Sequence, residues 1–204
     1  KERQVMNLLS QEGHRCAPFA YCEELTSEGP VLTSLQDLGS SKIGLPNGEE
    51  LHPTSPAVDE QVARTLATLH LSHRGQRQQL AWLPSADADY VTNFLVKEVW
   101  RSHWDELLAN NHNFAAAFAR DTPQSERPAQ KLARAVDSLW QEGDSLTLTH
   151  GEVHGDHLML YANQLYLIDW GWSYYGPFYL DLPAYFTAQT VQHYHRALVE
   201  QGYE

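Results

Sequence analysis

The chain has 204 residues, 42% of them hydrophobic and 20% charged, a composition that fits a folded globular protein and excludes a disordered or collagen-like one. Fourteen Lys and Arg against 26 Asp and Glu give a formal charge of −12 with His neutral, a field that repels a phosphate backbone, so nucleic acid is not an expected partner. No apolar run of about 20 residues is present to span a membrane, and Cys16 and Cys22 are too few for a disulfide framework, so a reducing cytoplasm is the expected setting.

The spacing of Val5, Leu8 and Leu9 predicts a helix over residues 1–11 that Gly13 terminates. It opens without a methionine or a cap, so further chain is expected upstream. Two β-rich runs, 19–23 and 30–35, flank the turn-forming Thr26-Ser27-Glu28-Gly29 and predict a hairpin. Residues 39–57, rich in Gly, Ser and Pro without a period, read as a connector between two lobes. Ser55-Pro56 then opens a helix to about His70, with Val62, Leu66 and Leu69 at i, i+4 and i+7. Beyond a polar loop, a helical region from about Tyr90 places Val96, Val99, Trp100, His103, Trp104 and Leu107 in one stripe expected to face a core. A further helix, 126–141, aligns Leu132, Val136 and Leu139 and ends at Gly143. The period then changes: 145–149 alternates as a strand, and 158–161 with 164–168 predict a hairpin turning at Ala162-Asn163. After Trp170 an aromatic stretch leads to a helix expected over about 181–200.

Chemistry concentrates in His150-Gly151-Glu152-Val153-His154-Gly155-Asp156-His157, which lies between strand runs and holds five ionisable side chains in eight positions. Ile168-Asp169-Trp170 ends the next strand. Loops at strand ends combine rigid support with access to solvent, which suits catalytic groups.

The run from Leu148 to Phe186 resembles the catalytic half of the aminoglycoside phosphotransferase and choline kinase-like family. That family's loop reads His-Gly-Asp, four residues, then Asn, followed by a strand ending Ile-Asp-Trp or Ile-Asp-Phe. Gly176-Pro177 and Asp181-Leu182-Pro183 sit where its later Gly-Asp-Pro-like turn and Asp-Leu-Ala fall. Upstream, Gly29 to Gly39 is similar to the family's hinge strand, and Val62 to His70 to its helix ending in Leu-His.

The resemblance implies an α+β, protein kinase-like fold of two lobes. Residues 1–38 would be the remainder of a truncated nucleotide-binding small lobe, 39–57 the connector, and 58–204 a mostly helical large lobe carrying loop 150–157 and strand end 168–170. It also implies an ATP-dependent kinase that phosphorylates a hydroxyl of a small molecule with Mg²⁺, or Mn²⁺ in its place. The family's glycine-rich phosphate loop and ATP-phosphate lysine would precede Lys1. Glu2 would be the glutamate that pairs with that lysine, and Ser34, Leu35 and Gln36 would offer backbone groups to adenine.

Phosphoryl transfer asks a protein for positioning and charge neutralisation more than for covalent chemistry. By residue-for-residue carry-over, Glu152 takes the base position, His157 the amide position that helps hold metal, and Asp169 the main metal position. His150 joins Glu152 in the catalytic loop, orienting it through a backbone hydrogen bond or contacting ligand, and Asp181 supports the loop through its backbone amides. Two positions depart from the family pattern. Glu152 carries its carboxylate one methylene further out than aspartate, and imidazole at His157 suits transition metals better than Mg²⁺. A second register uses His154-Gly155-Asp156, but it puts Tyr161 in the amide position. It also places Asp169 only 13 positions after Asp156, against 17 after Glu152, which is nearer the family's spacing.

Two readings of other classes stand beside this one. A metallohydrolase could use His150, His154, His157, Glu152 and Asp156 as zinc ligands. A kinase-like module that binds or regulates without transferring phosphate would account for the altered positions. The acidic balance favours a cationic acceptor, such as an amino sugar or amino alcohol.

Overall fold

The computed structural model describes residues 1–18, 20–24, 31–38, 56–93, 101–118, 127–188 and 190–203. Helix α1 (Glu2–Gln11) buries Val5, Met6 and Leu9, and ends at Gly13, whose φ of +79° an L side chain rarely adopts. Strands β1 (Ala20–Glu24) and β2 (Val31–Leu35) pair antiparallel, Ala20 opposite Leu35. The expected connector falls almost wholly, over 39–55, outside the described residues.

Helix α2 (Pro56–Ser72) buries the expected Val62, Leu66 and Leu69. It packs along α6 (Val191–Glu200), which buries Tyr194, Ala197 and Leu198 in the same core. Each fully buried leucine there contributes roughly 1.5–3 kcal/mol relative to exposure. Helices α3 (Arg101–Asn110) and α4 (His112–Phe118) are joined at Asn111, and Trp104 meets Phe114 edge-on across the junction at 5.1 Å. The stripe expected to face a core does not do so in its described part: α3 buries no residue, and His103 and Leu107 are exposed. A helical period specifies a face but not what covers it. Val96, Val99 and Trp100 lie outside the described residues. Helix α5 (Arg127–Glu142) buries Val136, leaves Leu132 exposed, and ends at Gly143 with φ +80°.

Strand β3 (Leu146–Thr149) is buried on both faces, although its alternation reads as half polar. The two hydroxyls are satisfied internally, Thr147 Oγ1 donating to the His70 carbonyl at 2.6 Å and Thr149 Oγ1 to that of Tyr174 at 2.9 Å. Strands β4 (Leu158–Tyr161) and β5 (Gln164–Leu167) form the expected hairpin, with Ala162 and Asn163 at φ +49° and +60° as a two-residue primed turn requires. The helix expected from 181 is corrected. Strand β6 (Tyr174–Pro177) pairs antiparallel with β3, a 3-10 turn follows over Phe178–Asp181, and α6 begins only at Val191. The aromatic residues are consumed by strand pairing, and Pro183 cannot supply a helical amide hydrogen.

Cys16 is buried, with its thiol pushed up to about 12 by desolvation, and its carbonyl accepts the Leu167 N–H at 2.6 Å. Among the described residues no helix is long and apolar enough to cross a membrane.

Candidate functional site

Loop 150–157 leaves β3 and is held from below by one carboxylate. Asp181, 1% exposed, accepts the His150 N–H on Oδ2 and the Gly151 N–H on Oδ1, both at 2.7 Å. His70 at the end of α2 brings Nε2 to 3.1 Å from the same Oδ2, and its Nδ1 lies 2.7 Å from Tyr194 Oη. Burial pushes the Tyr194 phenol far up, so it keeps its proton beside the His70 ring. Gly151 must be glycine: its φ is +89°, and a Cβ would stand 2.4 Å from the Trp172 carbonyl oxygen.

His150 is fully buried, and both its ring nitrogens are engaged by backbone. Nε2 donates to the Ile168 carbonyl at 2.9 Å, and Nδ1 accepts the Glu152 N–H at 3.3 Å. Desolvation holds its pKa down to about 4, so the ring is neutral and pins the loop to the end of β5 without facing solvent. The ring also rests against Trp170, centroids 4.6 Å apart.

Three of the candidate residues converge above this support. His157 Nδ1 donates to the Glu152 carbonyl at 2.9 Å, which leaves Nε2 facing Asp169 Oδ2 at 3.6 Å. The Glu152 carboxylate lies 3.8 Å from His157 Nδ1 and 3.9 Å from His154 Nε2. Glu152, His154 and His157 each offer a ligand atom, all within 4.8 Å of one another. A histidine whose far nitrogen is fixed on a backbone carbonyl is oriented as metal-bound histidines are, so His157 and Asp169 fit a divalent cation. Asp169 sits at φ +62°, a left-handed conformation that aspartate tolerates better than most residues. Asp156, the base of the second register, is exposed and 3.9 Å from His154 Nδ1, which accepts the Asp156 N–H and so caps the 3-10 turn Gly155–His157.

Asp169 also lines a cavity of about 440 Å³ together with Glu2, Met6, Pro18, Gln36, Asp37, Leu38, Met159 and Ile168. Three residues assigned to nucleotide and metal, Glu2, Gln36 and Asp169, therefore share one hollow. Glu2 Oε1 accepts the Trp170 N–H at 3.3 Å, tying α1 to the turn after Asp169. Ser34 and Leu35 close β2 just before Gln36. The sequence reading missed Met6, Met159 and Asp37, which no motif marks, and His70, whose signal was the Leu-His end of α2. Of the aromatic residues after Asp169, Trp170, Tyr174 and Tyr175 are buried and Trp172 is exposed.

A family model described as "Phosphotransferase enzyme family" matches residues 1–200. Among solved structures, the chain is similar to macrolide 2'-phosphotransferase MphH from Brachybacterium faecium, with 16% identity and a TM-score of 0.54 over 98% of this chain and 63% of that one. It is similar to APH(2")-IIia, solved with GDP and kanamycin, with 15% identity and a TM-score of 0.54 over 97% and 65%. It is also similar to an ethanolamine kinase of Plasmodium vivax, with 12% identity and a TM-score of 0.50 over 98% and 57%. At these identities the likeness is one of fold, a kinase-like α+β architecture, and the chain spans 57% to 65% of these proteins' lengths. No curated protein matches.

Proposed function

The chain belongs to the phosphotransferase enzyme family, and on that premise we propose that it transfers a phosphoryl group from ATP to a hydroxyl of a small cationic molecule, an amino sugar or amino alcohol. The observation that carries this reading is the placement of Glu152 and Asp169, from two strand ends, on either side of His157 at 3.8 and 3.6 Å, with Asp169 at the wall of the cavity.

Glu152, 40% exposed, orients the acceptor hydroxyl and takes its proton. Asp169 and His157 hold the divalent cation, which neutralises phosphate charge when bound. Met6, Met159 and Ile168 give the cavity an apolar side for a purine, and Gln36 at the end of β2 offers backbone groups to its edge. Mg²⁺ serves here, and Mn²⁺ suits the imidazole of His157 better. The carboxylates of Glu152, Asp156 and Asp169 around the loop favour a cationic acceptor. The lobe division at 1–38, 39–57 and 58–204 belongs to the same proposal, and the family assignment weighs against a metallohydrolase.

Transfer of labelled γ-phosphate from ATP, with Mg²⁺ or Mn²⁺, to a panel of aminoglycosides, choline and ethanolamine tests the reading on the full-length protein. Turnover with at least one acceptor, abolished by Glu152→Gln, is the expected result. ATP binding without turnover on any acceptor would replace it with the binding-module reading.

A further inference from the structure

A second group of ligating side chains lies away from loop 150–157, where the C-terminal ends of α1 and α2 meet. Glu12 follows α1, His14 follows the Gly13 turn, and His73 follows α2. His73 Nε2 is 2.7 Å from Glu12 Oε2, and His14 Nε2 is 3.8 Å from the same oxygen. The two imidazole rings stand 5.3 Å apart, and all three residues present ligand atoms within 4.8 Å of one another. We propose that Glu12, His14 and His73 form a binding site for a divalent transition-metal ion, Zn²⁺ by preference, that clamps α1 to α2.

Three features support the site. First, His73 is fully buried, and its Nδ1 donates to the Leu69 carbonyl at 2.9 Å, which aims Nε2 into the cluster. Second, ligand atoms at zinc's usual bond lengths on a tetrahedral ion lie about 3.3 Å apart, and the 2.7 and 3.8 Å separations straddle this value. Third, two histidines and a glutamate with one open position form a recurrent zinc set, and Glu12, 35% exposed, leaves a path for the ion and a water.

The clamp also has a reach. At its other end α1 carries Glu2, which holds the Trp170 N–H beside Asp169, so fixing the C-terminal end of this helix fixes the wall of the cavity. The metal site does not depend on phosphotransfer by the loop.

The test uses the full-length protein stripped with a chelator and titrated with Zn²⁺, with Co²⁺ as a spectroscopic reporter of tetrahedral nitrogen and oxygen ligation. His14→Ala removes a ring at the edge of the core, Glu12→Gln is isosteric, and His157→Ala disables the cation site of the loop. Wild type is expected to bind Zn²⁺ at this cluster and to gain several degrees in Tm. Both the Tm rise and the Co²⁺ spectrum should survive His157→Ala, whereas His14→Ala and Glu12→Gln should each weaken affinity by about 100-fold or more. No Zn²⁺ binding by wild type at micromolar concentration would overturn the proposal. So would unchanged affinity in both cluster variants, or a loss confined to His157→Ala.

Discussion

His157 Nε2 faces Asp169 Oδ2 across 3.6 Å, so loop 150–157 and the end of β5 meet through an imidazole where the family pattern has an amide. The ring's orientation is fixed by the bond from Nδ1 to the Glu152 carbonyl, and the nitrogen turned to Asp169 is a ligand of intermediate softness.

Metal preference is therefore expected to follow His157. His157→Asn exchanges an imidazole nitrogen for an amide oxygen, the donor that Mg²⁺ prefers. The ratio of Mn²⁺-supported to Mg²⁺-supported kcat/KM should fall about tenfold in the variant. Steady-state assays in the two metals measure it, and an unchanged ratio would place His157 outside the metal site.

Asp181 is the keystone of the loop. Its carboxylate accepts two backbone N–H groups and lies on His70 Nε2, all in the core. Asp181→Asn keeps the volume but replaces an acceptor oxygen with a donor NH₂ against an N–H group. A loss of about 2–4 kcal/mol is expected, because a buried donor is left unpaired. Urea unfolding monitored by tryptophan fluorescence measures it, and a change below about 0.5 kcal/mol would mean that the loop is held elsewhere.

Glu152 and Asp169 are the opposite case. Both side chains are substantially exposed, at 40% and 52%, so neither supports the core. Glu152→Gln and Asp169→Asn should leave unfolding within about 0.5 kcal/mol of wild type, while turnover falls by roughly 100-fold or more. Stable, folded variants that still turn over ATP at the wild-type rate would dissociate these residues from the chemistry.

The pattern of legibility has a physical basis. The apolar spacing of Val62, Leu66 and Leu69 specified α2, and the turn residues Ala162 and Asn163 specified the β4–β5 hairpin, because both signals are local. Loop 150–157 stood out by its density of titratable groups. Strand β6 was not legible: its tyrosines and glycine fit a strand only because β3 lies beside them, a contact between segments about 28 residues apart, Thr149 with Tyr174 and Leu146 with Pro177 marking its ends. The cluster of Glu12, His14 and His73 was equally hidden, since His73 reaches Glu12 across 61 residues. His150 reads as a catalytic-loop histidine in sequence, and only its burial between Ile168 and Glu152 assigns the ring to positioning.

That burial makes His150 a source of acid sensitivity. Its pKa is held down to about 4, largely by desolvation, against 6.5 in the unfolded chain. Between these values the unfolded state binds the extra proton, so stability contributed by the neutral ring is complete above about pH 6.5 and is lost as pH falls toward 4. The full shift corresponds to about 3 kcal/mol. His150→Gln removes the titrating group while keeping an amide able to donate to Ile168. Wild type is expected to lose on the order of 2 kcal/mol more than the variant between pH 7 and pH 5 in urea unfolding. Parallel pH profiles for the two proteins would mean that His150 titrates alike in the folded and unfolded states, and that its ring is not sealed between the loop and β5.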